Sequence, residues 1–234
     1  MPSWPIHLAI AKKLNQKLKI DKDLFYYGNI LPDVNKRYNL NRDEAHYYGI
    51  PFSFCPKEEQ IDINKFLNDY HNNLNNPLVL GYYCHLMTDN YFNEYIYKKC
   101  WVLDKDNNII GIRLKNGKIH HITKEDPKNE KRKYKHHDFE LYGRNICDID
   151  AVPKDKEKIY NNIKFIKHGF LTKEIVDDRF NYFHDKYLKD VKLSLSERIF
   201  KDKYYLFSRE ELDKVFNDCY KYILNELDKI NKHF

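Results

Sequence analysis

The sequence predicts a mostly α-helical fold: a single multi-helix domain spanning residues 1–234, with a small β hairpin inserted in it. Three observations predict it. Only 7 Gly and 8 Pro punctuate the 234 residues, and abundant Lys, Glu, Asp, Leu and Ile favour long helices over a Gly-punctuated β sandwich. Aromatic residues make up 15% of the chain, with 20 Tyr and 14 Phe, which is apolar bulk enough for one substantial core at this length. Apolar positions recur at helical spacing in most stretches, and an Asn-Gly step marks the one region where the pattern turns to short extended runs.

Taken in order, Ser3 to about Leu18 reads as the first helix. Trp4, Ile6, Leu8, Ala9, Ala11 and Leu14 form a broad apolar face, Ser3 is placed to cap it, Pro5 is tolerated in the first turn, and His7 rides within it. A second apolar segment, Leu24 to Leu31, ends at Pro32, which forces its predecessor out of helical geometry and leaves Asp33 at a chain corner. Residues 35–56 read as a polar and aromatic loop carrying His46, and residues 57–72 as a helix through Ile61, Phe66, Leu67 and Tyr70. Pro77 opens the most helix-like segment, which runs to about Lys98, is apolar on nearly every face and carries His85 and Asp89. Between residues 101 and 133 comes the insertion: extended runs at 109–114 and 118–123 flank Asn116-Gly117, the signal for a type I′ turn with positive φ at both central residues, and a solvated linker follows over 124–133. The segment 135–149 and three helices near 154–167, 172–189 and 208–232 complete the chain.

The charge pattern excludes little. An excess of +6, from 41 basic and 35 acidic residues mixed along the chain, suits an anionic substrate, a membrane surface or nucleic acid, although a solvated surface is its commonest meaning. There is no Arg-rich stripe or base-reading motif. Cys55, Cys84, Cys100, Cys147 and Cys219 are odd in number and widely spaced, so they read as reduced thiols rather than as a disulfide framework or a thiolate zinc knuckle. The opening Met-Pro-Ser-Trp leads to Lys12 and Lys13 without an apolar core of a leader, and no run approaches the roughly 20 residues of a membrane span. The expectation is a cytoplasmic protein with no transmembrane segment.

Chemistry is suggested first by His85 and Asp89, which sit one turn apart on one helix face. An unpaired carboxylate in so apolar a segment costs several kcal/mol unless it meets a counter-charge or a metal. The pair alone reads more readily as an ion pair facing a wet groove. His7, Asp33 and His46 add further nitrogen and oxygen donors in the first fifth of the chain, and each taken singly would suit a cap or a hydrogen bond.

The order of these residues resembles the zinc-dependent phospholipase C family, whose relatives include the S1/P1-type nucleases. The landmarks are Trp4 with His7, then Gly28-Asn29-Ile30-Leu31-Pro32-Asp33, then Ala45-His46-Tyr47, then the helix Gly81-Tyr82-Tyr83-Cys84-His85-Leu86-Met87-Thr88-Asp89. The likeness covers residues 3 to 95 and is loose beyond them. It implies a phospholipase C/P1 nuclease type of helical fold and one to three Zn²⁺ ions. Asp33, His46, His85 and Asp89 would hold one ion, and Asp89 would bridge to a second that is also held by His7. A later His with an acid four residues on would be His136 and Glu140, with His137 and Asp138 as rivals. The chain departs from the family in two places: Trp4 is internal, so its nitrogen is an amide rather than a free amine, and Tyr95 stands where a further His is expected.

The implied activity is hydrolysis of a phospholipid or another small phosphodiester by a zinc-activated water, with Asp33 either completing the metal shell or orienting the water as the catalytic carboxylate. A lipid substrate would bring peripheral contact with a membrane. Two alternatives stand beside it: a catalytically weak relative serving as a binding module, and a nuclease-like activity on single strands, for which no base-reading motif speaks. Tyr47, Tyr48, Phe52 and Phe54 are candidates to pack against a substrate, although in a chain so rich in Tyr and Phe core packing is the commoner role. Oligomeric state is not legible.

Overall fold

Helix α5 (Pro77–Cys100) organises the molecule, and its sequence accounts for that role. Asn76 caps it by accepting the Leu78 N–H, Pro77 occupies the first turn where no N–H is needed, and Lys98 and Lys99 face the negative end of its dipole. Leu78, Val79, Tyr82, Tyr83, Cys84, Leu86, Met87, Phe92 and Ile96 are all buried, so the helix runs through the core with apolar neighbours on nearly every side. The computed structural model describes residues 2–33, 42–123, 127–167, 171–197 and 203–231. Parts of the expected loop (34–41) and linker (124–126) lie outside them.

Around α5 pack α1 (Trp4–Leu18), α2 (Lys22–Gly28), α4 (Ile63–Tyr70) and α9 (Arg209–Asn231), while α1 also meets α6 (Pro127–Ile146). Helix α8 (Lys173–Glu197) lies against α6 and against the short α7 (Lys156–Asn162). A four-residue helix, α3 (Arg42–Ala45), precedes His46. The buried apolar side chains of these helices form one contiguous cluster. The fold is thus mostly α, as the composition implied, and no described helix is long and apolar enough to cross a membrane. All five cysteines are free thiols.

The α2–α5 crossing is a backbone-to-backbone contact. A Cβ on Gly28 would stand 2.2 Å from the Leu78 carbonyl oxygen, and one on Gly81 would stand 2.2 Å from that of Phe25, so only glycine at both positions permits the approach. The residue after Gly28 is thereby laid against the turn of α5 that carries His85.

Several local expectations are corrected. Ser3 precedes α1 but its hydroxyl makes no cap; Ser3 Oγ donates to the Phe139 carbonyl at 3.0 Å and ties α1 to α6. The stretch expected as loop and helix over 48–61 is instead an antiparallel pair, β1 (Tyr48–Phe52) and β2 (Cys55–Ile61), and α4 begins only at Ile63, capped by Asp62. Asn90 of α5 clamps this pair, accepting the Ile61 N–H and donating to the Ile61 carbonyl, each at 2.9 Å. The insertion is a three-stranded antiparallel meander of β3 (Trp101–Leu103), β4 (Ile109–Arg113) and β5 (Ile119–His121) rather than a lone hairpin. Its β4–β5 loop has positive φ at Gly117 (82°) but not at Asn116, so it is not a type I′ turn. Leu114 and Lys118 bracket a longer loop in which Asn116 Oδ1 accepts the Lys118 N–H. Helix α6 starts at Pro127 and takes in most of the expected linker.

Candidate metal centre

Four elements bring His7, Asp33, His46, His85 and Asp89 to one place. His7 comes from α1, Asp33 from the single 3₁₀ turn that ends at it, His46 from the residue after α3, and His85 and Asp89 from one face of α5. Tyr47 turns the chain immediately after His46 with φ at +55°, a conformation that costs a bulky residue strain. The ring of Tyr47 is packed on Phe66 and Tyr82, its hydroxyl donates to Asp69, and the Tyr82 hydroxyl holds the Ala45 carbonyl, so the strained turn is pinned from both sides.

The imidazole Nε2 atoms converge on the two carboxylates. His7 Nε2 lies 3.3 Å from Asp89 Oδ1, His85 Nε2 3.5 Å and His46 Nε2 3.8 Å from Asp89 Oδ2, and His46 Nε2 3.5 Å from Asp33 Oδ1. The rings of His7 and His85 stack in parallel with centroids 3.9 Å apart. His7, His46, His85 and Asp89 are entirely shielded from solvent, yet their Nε2 atoms and both Asp89 oxygens make no hydrogen bond. Leaving such groups unsatisfied in the interior costs about 1–3 kcal/mol each, and more for charged ones.

The remaining ring nitrogens explain the orientation. His85 Nδ1 lies 2.7 Å from the Asn29 carbonyl oxygen and His46 Nδ1 2.9 Å from that of Arg42. A carbonyl can only accept, so both Nδ1 atoms carry hydrogen, and when the ring is neutral each Nε2 presents a lone pair to the centre. Carbonyl-anchored imidazoles of this kind are the usual second layer of a metal site. Donors about 2.0–2.1 Å from a tetrahedral Zn²⁺ stand roughly 3.3 Å from one another, which the shorter separations here match. Two overlapping donor groups fit an ion, His7–His85–Asp89 and Asp33–His46–His85, within each of which the donor atoms lie no more than 4.8 Å apart.

Electrostatics favour the same assignment. Burial, reinforced by the neighbouring His85, lowers the His7 pKa to about 4 against the opposing pull of Asp89, so His7 is neutral at pH 7. Burial also lowers His46, with Asp33 opposing. His85 moves the other way: burial alone would depress it, but the Asp89 and Asp33 carboxylates together raise it. Burial would raise Asp89 and Asp33, yet the surrounding imidazoles hold both below the ordinary carboxylate range, so the pocket keeps two negative charges.

The centre opens on a cavity of about 660 Å³, and Asp33, 16% exposed, belongs to both. The cavity wall carries Arg42, Arg132, Lys135, Arg179 and Lys186 against the acids Asp33, Asp43 and Glu140. Of the aromatics, Tyr48 lines this wall beside His46, whereas Tyr47 and Phe52 are core residues. Trp4 also lines it, its ring packed on Tyr182 and Phe183 and its nitrogen an ordinary amide.

His136 and Glu140 lie on the cavity wall rather than in the buried cluster, and among the described residues they join neither donor group. Glu140 Oε1 is 4.0 Å from Lys186 Nζ. Their rivals serve the fold: Asp138 accepts the backbone N–H groups of Tyr205, Leu206 and Phe207, and His137 Nε2 contacts the Lys203 carbonyl at 3.0 Å. Tyr95 points away from the centre and donates to Glu211. Its neighbours Asn93 and Tyr97, at four-residue steps beyond Asp89, face Lys135 of α6. That stripe, His85-Asp89-Asn93-Tyr97, repeats at one helical turn in the sequence, and its polar spacing is the signal that places Asn93 and Tyr97 on the face of the cluster. Comparison with protein-family models, with curated proteins and with solved structures finds no match for this chain.

Proposed function

We propose that this protein is a zinc-dependent phosphodiester hydrolase of the phospholipase C and P1 nuclease type. One observation carries the reading: three wholly buried imidazoles and a buried carboxylate turn unsatisfied donor atoms toward one point, and two of those imidazoles are fixed from behind by main-chain carbonyls. His46, His85, Asp33 and Asp89 would hold one ion, and His7 with Asp89 an adjacent one. When bound, Zn²⁺ supplies a lowered pKa for water and neutralises charge on phosphoryl oxygens.

The chain's own residues do the rest. Asp33, ionised and facing both the cluster and the cavity, orients the attacking water by accepting a hydrogen bond from it. The excess of cations on the cavity wall favours an anionic diester, while Trp4, Tyr48 and Tyr182 offer aromatic surface to its substituents. The test is zinc content of the purified protein, together with turnover of bis(p-nitrophenyl) phosphate before and after chelation. Bound zinc with chelator-sensitive, zinc-restored turnover is the expected result, and a protein that neither retains nor takes up zinc would overturn the reading. Phospholipid vesicles against single-stranded DNA then separate the lipase from the nuclease.

A further inference from the structure

Lys135 is 3% exposed, which is rare for a lysine without a counter-charge. Its ammonium group lies 3.3 Å from Asn93 Oδ1, bonds the Tyr97 hydroxyl, and stands 4.4 Å from the centre of the Tyr97 ring. These partners are an amide and a phenol; among the described residues no carboxylate lies within salt-bridge distance of it. Three other cations of the same cavity have one: Arg42 beside Asp33 at 3.5 Å, Arg179 beside Asp178 at 3.3 Å and Lys186 near Glu140 at 4.0 Å. A buried charge that is hydrogen-bonded but not neutralised costs several kcal/mol, and an ammonium group has three donors of which only two are used here.

The arrangement is also rigid. Tyr97 stacks on Trp101 with centroids 3.8 Å apart and planes 9° from parallel, and α6 is pinned to α5 through Phe139 on Phe92. Asn93 and Tyr97 continue the stripe that begins with His85 and Asp89, and each step of four residues advances about 6 Å along the helix. The cation is therefore held by the two turns of α5 directly after Asp89, and it lines the cavity onto which Asp33 opens.

We infer that Lys135 is a fixed anion-binding residue of this cavity, donating its third hydrogen to a non-bridging oxygen of a phosphoryl group whose reacting side faces the His/Asp cluster. The inference rests on the hydrolase reading for the phosphoryl chemistry of the ligand. It adds a positioning residue that the family likeness does not supply, on the stretch of chain where that likeness is loose.

The probe is inorganic phosphate, titrated calorimetrically into the full chain with and without added zinc, for wild type, Lys135→Met and Lys135→Arg. Zinc is titrated separately into each protein. The expected result is phosphate binding weakened at least tenfold in Lys135→Met and largely recovered in Lys135→Arg, with zinc stoichiometry equal in all three. Should Lys135→Met fail to fold, Lys135→Gln carries the same comparison. Phosphate affinity equal in wild type and the uncharged variant, or no phosphate binding by wild type, would overturn the anion site even with zinc uptake intact. Absence of zinc uptake by wild type would instead remove the hydrolase reading, and the zinc-free titrations would still report on Lys135 alone.

Discussion

His85 is anchored on one edge of its ring and open on the other: Nδ1 donates to a carbonyl of the residue after α2, and Nε2 lies unbonded 3.5 Å from the carboxylate one turn along its own helix. Replacing His85 removes a donor of the first candidate ion, and replacing Asp89 removes a carboxylate that both would share. His85→Ala and Asp89→Ala are therefore each expected to bring zinc content and phosphodiester turnover to background while helical circular dichroism is retained; full zinc content in either would count against the site. The pH response follows from the shifts. His85 is raised, so in the metal-free protein its stabilisation is complete below its ordinary pKa of 6.5 and is lost as pH rises through the higher folded value. His7 is lowered, so its stabilisation is present above 6.5 and lost as pH falls toward about 4. Zinc needs both rings unprotonated, and the proton on His85 competes with it. The zinc-induced rise in Tm is thus expected to grow between about pH 5 and about pH 8, and melts with and without zinc that show it shrinking would contradict the assignment. At this scale the sequence showed the His and Asp donors, because their residue types announce metal chemistry. It could not show the Asn29 and Arg42 carbonyls, which every residue possesses, or Lys135, whose solitude only the burial of α6 against α5 creates.

Between elements, the α2–α5 contact determines whether His85 faces the cluster, because the carbonyl that orients it belongs to Asn29, one residue past Gly28. A methyl at Gly81 would sit 2.2 Å from the backbone oxygen of Phe25, and backbone cannot rotate aside as a side chain would. Gly81→Ala is expected to cost at least the upper part of the usual range of about 1–3 kcal/mol for overpacking, and to weaken zinc binding by displacing Asn29. Chemical denaturation and a zinc titration check the two effects; a variant as stable as wild type with unchanged zinc affinity would show that the crossing does not hold the site. Helix α5 was readable because its apolar run, its Asn-Pro start and its length agree. The β1–β2 pair was not, since Gly49-Ile50-Pro51 and Pro56-Lys57-Glu58-Glu59 lie largely exposed and carry no alternating apolar signal.

For the whole molecule, the first two-fifths of the chain supplies every donor of the buried cluster, while α6 and α8 supply about half of the residues that line the cavity before it. This division explains why the order of His7, Asp33, His46, His85 and Asp89 was legible and the cavity was not: a wall shared between N-terminal segments and helices more than a hundred residues from α1 has no local sequence signature. The wall's charge, in a chain with an excess of +6, has a consequence for rate. A mouth lined by more cations than acids raises the local concentration of anions, and salt screens that attraction over about 10 Å at 0.1 M. For bis(p-nitrophenyl) phosphate, an anion, kcat/KM is expected to fall several-fold as sodium chloride is raised from about 0.01 to about 0.3 M, chiefly through KM. For p-nitrophenylphosphorylcholine, whose quaternary ammonium cancels the phosphate charge, the fall should be much smaller. Lys186→Gln and Arg132→Gln, which remove wall cations outside the buried cluster, should flatten the first curve toward the second. Equal salt dependence for the two substrates would show that the wall acts by contact with the substrate alone and not through its field.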